Sequence, residues 1–278
     1  MALKLRDLIY CYKKIIMAGC CIGEEVCAVK SKESLSGIYL LPNLLTTSSL
    51  FAAFYSIVAS FKLQYDVAAI AIFIGMVADG LDGRIARMTN TQTAFGGEYD
   101  SLSDMVTFGV APSLLMYSWC LQSLGKLGWL VAFVFTAAVA LRLARFNTQI
   151  ETADKRYFQG LACPPAAAML SAFVWFCEQN ELHSTLITNT TAVAAVVLAL
   201  LMVSNIRYYS FKELDVKGKV PFLYILLVVI FFVAIAANPS VVLLLGFLGY
   251  GLSGPIQTLL GLQKMRRYRR VVGRRKKG

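Results

Sequence analysis

Long apolar segments alternate with short polar ones along this chain from about residue 40 onwards. A helix that crosses a bilayer needs about 20 mostly apolar residues, and the pattern contains eight segments of that kind. The predicted fold class is therefore all-α, a polytopic membrane helix bundle of about eight transmembrane helices. We place these spans at 43–62, 66–87, 98–121, 127–147, 163–180, 185–204, 220–237 and 239–261.

The two ends of the chain differ from this pattern. Residues 1–40 carry scattered charges and no clean apolar core, so we expect no cleavable signal peptide there. Residues 3–17 are compatible with an amphipathic helix in the membrane interface and equally with a dispensable cytoplasmic extension. Residues 213–262 are predicted to form a hairpin that turns at Asn238-Pro239. The basic tail at 263–278 is typical of a topogenic stop, and it is also able to bind anionic headgroups.

Composition and charge support the membrane assignment. Hydrophobic residues make up 58% of the chain, the mean hydropathy is +0.63, and the net charge is +11. Such a charge in a soluble protein favours nucleic-acid binding, but here the basic residues flank apolar segments, so we expect no nucleic-acid partner. With the N-terminus in the cytoplasm, only Lys62 and Lys126 fall on the outer side, as the positive-inside rule requires. Both termini are therefore predicted to be cytoplasmic.

Cysteine and histidine usage argues against a zinc site or a disulfide framework. The chain has seven cysteines without a C-x2-C pair, and His183 is the single histidine. We interpret His183 as an ordinary residue of the outer loop 181–184.

Four aspartates stand out within the second and third predicted spans: Asp79, Asp82, Asp100 and Asp104. Ionised residues in membrane helices are costly and usually mark function. Spacings of three and four residues place each pair on one helix face. Because the connection 88–97 is short, the two helices are predicted to be antiparallel neighbours whose acidic faces meet near the cytoplasmic interface.

Oxygen ligands without histidine or cysteine favour a hard cation, Mg²⁺ or Mn²⁺ before Zn²⁺. A pair of such ions is able to clamp a diphosphate. Gly83 permits close approach of a ligand to the backbone, Ala86 clears the next turn, and Arg87 offers a phosphate-binding fork. Gly96 precedes Asp100 where the third span begins.

Two other interpretations of the aspartates remain open from the residues alone. One is a set of intramembrane ion pairs, with the candidate partners Arg84, Arg87, Arg142 and Arg145. Four acids exceed what helix packing needs, which weakens this interpretation. The other is the site of an ion-coupled transporter, which does not require the glycine, alanine and arginine framework.

The segment from Asp79 to Asp104 follows the pattern D-x2-D-G-x2-A-R-x8-G-x3-D-x3-D. This pattern resembles the signature of the CDP-alcohol phosphotransferases. These are integral membrane enzymes in which an alcohol displaces CMP from a CDP-linked substrate. The resemblance implies a six-helix catalytic core, here 41–212, and two divalent cations held by the first three aspartates. It implies that Asp104 is the general base and also touches a metal. It further implies a homodimer.

Segments outside the signature resemble bacterial phosphatidylserine synthases of the integral-membrane type. They are LPNLLT at 41–46, ALRLARFNTQ at 140–149, KRYFQG at 155–160 and SNIRYYSFK at 204–212. One departure is Ala162-Cys163, where related enzymes tend to carry Pro-Ser. The resemblance implies CDP-diacylglycerol and L-serine as substrates, phosphatidylserine and CMP as products, and a bacterial inner membrane with the active site facing the cytoplasm. Another acceptor, glycerol-3-phosphate or inositol phosphate, is the alternative.

Six further polar residues are candidates for binding the acceptor or the lipid phosphate. The four cations among them lie at predicted cytoplasmic helix ends, where topogenic charge is an equally good interpretation. The two uncharged ones open the first span, where helix capping is the alternative. The candidates are Asn43, Thr46, Arg142, Arg145, Lys155 and Arg156.

Overall fold

The computed structural model describes residues 40–89, 93–149, 157–209 and 222–275. This part of the chain is helical apart from one short ribbon, which confirms the predicted all-α membrane bundle. The N-terminal segment 1–39 lies outside the described residues. The helices are α1 (Leu40–Phe61), α2 (Tyr65–Met88), α3 (Ala94–Asp104), α4 (Ala111–Trp119), α5 (Lys126–Gln149), α6 (Cys163–Gln179), α7 (Thr185–Val203), α8 (Phe222–Ala237) and α9 (Pro239–Arg275).

The third predicted span is built from two α-helices joined by a wider turn. Residues Met105–Val110 form a π-helix between α3 and α4, and the Ala111 N–H bonds to the Val106 carbonyl, five residues back. Pro112, in the first turn of α4, cannot donate a backbone hydrogen bond, which favours this local rearrangement. The π-helix begins directly after Asp104, and such turns often occur at functional sites.

Small residues allow the helices to approach one another closely, as is usual in membrane bundles. Helix α6 occupies the centre and packs against α2, α4, α7 and α9, while α5 packs against α7. On α6, alanines at 166, 167, 168 and 172 are fully buried. Large side chains such as Phe108 and Phe135 fill the remaining interior.

Four of the described helices are long and apolar enough to cross a membrane: Leu41–Phe61, Lys126–Thr148, Thr185–Val203 and Pro239–Ile256. The other predicted spans fall short for identifiable reasons. Helix α2 contains the charged residues of the signature, the third span is interrupted, and α6 and α8 have only 17 and 16 residues. The chain is a multi-pass membrane protein.

The C-terminal helix is longer than the sequence pattern predicts. A turn at Asn238 joins α8 to α9, and α9 then continues for 37 residues to Arg275, beyond the predicted end at 261 and into the basic tail. Basic residues are good helix formers, so charge alone does not end a helix.

A short antiparallel ribbon joins two loops at the end of the bundle where α6 begins and α7 ends. Strand β1 (Tyr157–Gln159) pairs with β2 (Arg207–Tyr209), with Phe158 opposite Tyr208. Gly160 follows β1 with a φ of +78°, and a Cβ there would lie 2.3 Å from the Met202 carbonyl oxygen. Glycine is therefore required where this loop enters α6. Lys155 and Arg156 lie outside the described residues.

Candidate active site

The structure brings the four aspartates together between α2 and α3. Asp79, Asp82 and Asp100 each present a carboxylate oxygen, and these oxygens lie within 4.8 Å of one another. The Asp104 carboxyl lies within hydrogen-bonding range of Asp79. The expectation that the two acidic faces meet thus agrees with the geometry.

Part of this carboxylate cluster has no protein partner. One oxygen of Asp100 and one of Asp104, both Oδ1, are buried without a hydrogen bond. In the part of the chain that the structure describes, no lysine or arginine forms an ion pair with the four acids. Because like charges that lie close together repel one another, a bound cation would stabilise the ionised cluster. The ion-pair interpretation is not supported by this arrangement.

The donor set fits a hard divalent cation. All ligand atoms available in the cluster are carboxylate oxygens, the preferred ligands of Mg²⁺ and Mn²⁺. Two buried oxygens with free lone pairs point to coordination that protein groups do not supply. The residues present therefore suit a metal ion.

Thr46 lies behind the cluster and orients Asp82. Its hydroxyl donates a 2.6 Å hydrogen bond to Asp82 Oδ2, and both residues are buried. The Ser103 hydroxyl donates in turn to the Thr46 backbone oxygen at 3.2 Å, which ties α1 to α3. Thr46 was a candidate for substrate contact, and its observed contact is with a metal-ligand candidate. Ser103 was not anticipated, since its one sequence signal is its place beside Asp104.

The small residues of the signature leave space beside the acids. A Cβ at Gly83 would meet only the Arg87 Nη2 at 4.0 Å, so the backbone there is open to a ligand. The exposed Arg87 side chain donates from Nε to the Gly83 carbonyl at 2.8 Å. Ala86, half-buried on the same helix, contributes no polar atom.

Gly96 belongs to the capped start of α3. Its N–H donates to the Thr93 hydroxyl at 3.0 Å, the usual N-cap bond. A Cβ at Gly96 would lie 3.1 Å from that hydroxyl and 3.5 Å from the Asn43 Oδ1. Asn43, on α1, therefore lies against the first turn of the helix that carries Asp100 and Asp104.

Two arginines of α5 have different environments. Arg145 donates from Nη2 to the Asn205 Oδ1 at 2.6 Å and from Nη1 to the Val203 carbonyl at 3.4 Å, at the end of α7. Arg142 donates from Nη1 to the Cys163 sulfur at 3.3 Å, and its Nε is buried without a partner. Cys163 lies within electrostatic range of Asp104. Arg142 thus contacts a residue that Asp104 influences, whereas Arg145 binds the end of α7, and neither Cys163 nor Asn205 was a candidate from the sequence.

Known proteins place this chain in a family. A family model described as CDP-alcohol phosphatidyltransferase matches residues 39–201, more than half of the chain. A CDP-diacylglycerol--serine O-phosphatidyltransferase of Helicobacter pylori strain J99 is 40% identical over 202 residues, which cover 72% of this chain and 84% of that protein. The protein of the same name from Mycobacterium leprae is 27% identical, over 77% of this chain and 72% of the relative.

Among solved structures, the phosphatidylinositol phosphate synthase of Mycobacterium tuberculosis with CDP-DAG bound aligns with a TM-score of 0.47 and 14% identity. The alignment covers 60% of this chain and 80% of the mycobacterial chain. The complete aspartate signature and the family model agree, and the chain belongs to the CDP-alcohol phosphatidyltransferase family.

Proposed function

We propose that this protein transfers the phosphatidyl group of CDP-diacylglycerol to L-serine, which yields phosphatidylserine and CMP. The observation that carries the proposal is the carboxylate cluster of Asp79, Asp82 and Asp100, with Asp104 beside it, in a member of this family. Relatives whose names describe this reaction match most of the chain, and serine is the acceptor in those names.

We infer that the enzyme uses two divalent cations, Mg²⁺ or Mn²⁺. The residues that would hold them are Asp79, Asp82 and Asp100, with Asp104 contributing on one side. Bound divalent ions supply Lewis acidity and neutralise charge on the diphosphate oxygens. The unpartnered oxygens of Asp100 and Asp104 support this assignment.

The chain's own groups provide binding space and the proton acceptor. The open backbone at Gly83 allows the diphosphate to approach, and the Arg87 guanidinium offers it a charged donor. Asp104 takes the hydroxyl proton of serine as that oxygen forms a bond to the lipid-side phosphorus. The bond from that phosphorus to the CMP oxygen breaks, and CMP leaves with the electron pair toward the cytoplasm.

Among the candidates for the acceptor site, Arg142 is better placed than Arg145. The Arg145 guanidinium holds the end of α7, whereas the Nε of Arg142 has no protein acceptor. Asn43 adjoins α3 and remains a predicted polar contact. Lys155 and Arg156 stay predictions from sequence.

We further propose the cellular arrangement that the sequence pattern implies. The enzyme lies in a bacterial inner membrane, with both termini and the active site on the cytoplasmic side. The positions of Lys and Arg support this orientation. We also propose a homodimer, on family resemblance alone.

The test is an acceptor comparison with purified protein. CDP-diacylglycerol and Mg²⁺ or Mn²⁺ are supplied with serine, glycerol-3-phosphate or inositol phosphate, and both CMP release and the lipid product are measured. Of the three alcohols, only serine should give rapid CMP release, with phosphatidylserine as the lipid product. Preference for another alcohol would show that this alcohol, and not serine, is the acceptor. No CMP release with any alcohol would favour the transporter alternative. Omission of the metal is the control in each arm.

A further inference from the structure

The C-terminal helix α9 packs against α6, which begins at Cys163, although α9 lies beyond residues 39–201 that the family model matches. The contact is close at Gly251, where an added Cβ would lie 2.9 Å from the Met169 sulfur and 3.0 Å from its terminal carbon. The neighbouring Tyr250 packs against the buried core. Helix α9 is therefore seated on the catalytic bundle at this point.

Three helices meet around Arg142. The guanidinium on α5 donates to the Cys163 sulfur at the first residue of α6, and the Tyr250 phenol on α9 lies within electrostatic range of it. Cys163 also lies within electrostatic range of Asp104. Arg142 thus contacts α6 directly, and Tyr250 on α9 lies in its electrostatic surroundings.

The Arg142 guanidinium has capacity for an anion. Its buried Nε lacks a hydrogen-bond partner, and a buried charged donor left in that state is costly. Nε lies on the guanidinium edge that forms paired contacts with carboxylate and phosphate groups. This edge is therefore able to accept an acidic group of a ligand.

We propose that Tyr250 completes an anion pocket around Arg142 and determines specificity for the acceptor alcohol. This inference rests on the proposed function. The anion assigned to the pocket is the carboxylate of an amino-acid acceptor. In the proposed arrangement the acceptor hydroxyl reaches Asp104, the diphosphate faces Asp79, Asp82 and Asp100, and the acceptor carboxylate binds Arg142.

The first test is Tyr250→Phe in the full-length enzyme, because it removes one hydroxyl and keeps the ring. The serine KM should rise about three- to tenfold, the factor expected for one hydrogen bond, with the CDP-diacylglycerol KM within about twofold of wild type. The matched control is Tyr65→Phe, which removes a phenol that donates to the Ser118 carbonyl at 3.0 Å between α2 and α4. The control should leave both constants unchanged.

Several outcomes overturn the inference. They are an unchanged serine KM in Tyr250→Phe, an equal rise in both constants, and a rise confined to CDP-diacylglycerol, which assigns the pocket to a lipid phosphate. If the wild-type enzyme prefers another alcohol, the proposed function fails, and the same comparison made with that alcohol still decides the role of Tyr250.

A second pair of variants tests the position of α9 without touching the phenol. Gly251→Leu forces the end of the Met169 side chain to move and places a bulky group between α9 and α6, so it should raise the serine KM at least as much as Tyr250→Phe. Gly249→Leu is the control, because a Cβ at Gly249 meets nothing within 4 Å. Equal serine KM values in the two leucine variants would contradict a pocket closed by α9.

Discussion

At the scale of single residues, the site depends on how differently its four aspartates are held. Asp82 is almost fully buried and is fixed by the Thr46 hydroxyl, whereas Asp100 and Asp104 each retain a buried oxygen without a partner. A carboxylate held in place by a protein hydrogen-bond donor is suited to remain a metal ligand throughout the reaction. One with a free oxygen is suited to exchange a proton or a ligand, which is the property that a general base needs.

The first prediction follows for Asp104. Asp104→Asn should reduce turnover by at least about a hundredfold, since general base catalysis typically contributes that much. CDP-diacylglycerol binding should stay measurable, because the amide preserves the side-chain shape. Asp79→Asn is the comparison, and it should weaken metal dependence and binding together. Turnover like that of wild type in Asp104→Asn would remove Asp104 from the role of base.

The second prediction concerns Thr46. Thr46→Val keeps the side-chain volume and removes the hydrogen bond to Asp82, a bond to a charged group worth about 1.5–3 kcal/mol. The Mn²⁺ concentration for half-maximal activity should therefore rise about tenfold or more. The control is Thr47→Val, since the Thr47 hydroxyl bonds to the Tyr99 hydroxyl at 2.9 Å and not to an aspartate. A similar metal dependence in both variants would show that Thr46 does not position Asp82.

At the scale of elements, the lengths of the apolar runs predicted where the helices lie. Such a run can be recognised from neighbouring residues alone, without knowledge of the fold. Interruptions within a helix depend on hydrogen bonding and packing that the pattern does not reveal. The π-helix at Met105–Val110 was missed, with Pro112 as its one visible signal. The aspartate cluster was predictable because its spacing is local. The partners Thr46–Asp82 and Arg142–Cys163 join residues 36 and 21 positions apart, and their pairing needed the fold.

The third prediction concerns the start of α3, which carries two of the aspartates. Gly96→Ala places a Cβ 3.1 Å from the Thr93 hydroxyl, so the N-cap side chain must shift slightly and its bond to the first turn of α3 is disturbed. Activity should fall about tenfold, since small displacements of a catalytic helix are costly. Gly97→Ala is the matched control, because its Cβ meets nothing within 4 Å. That control should retain activity and gain up to about 1 kcal/mol in the free energy of unfolding. Equal activities in the two variants would contradict a positional role for Gly96.

At the scale of the whole molecule, contacts among the loops and helix ends show at which end of the bundle the site lies. The β1–β2 ribbon joins the segment before α6 to the segment after α7. Asn147, near the end of α5, donates to the Ser101 hydroxyl at 3.1 Å. The ends of α5 and α7, the start of α6 and the aspartates on α3 therefore lie at the same end of the bundle. The loop between α6 and α7, which contains His183, lies at the opposite end.

The last prediction tests which end faces the cytoplasm. Among the described residues, Arg84, Arg87, Arg142 and Arg145 lie toward the end that carries the aspartates, so by the positive-inside rule His183 should be outside and Gly278 inside. In a variant without the native cysteines, His183→Cys should react with an impermeant maleimide added to intact cells, since its side chain is 58% exposed. Thr148→Cys, exposed at the end of α5, should react only after the cells are permeabilised. A reporter fused after Gly278 should read as cytoplasmic. Labelling of position 183 only after permeabilisation would invert the bundle and place the carboxylate cluster away from the soluble CMP pool.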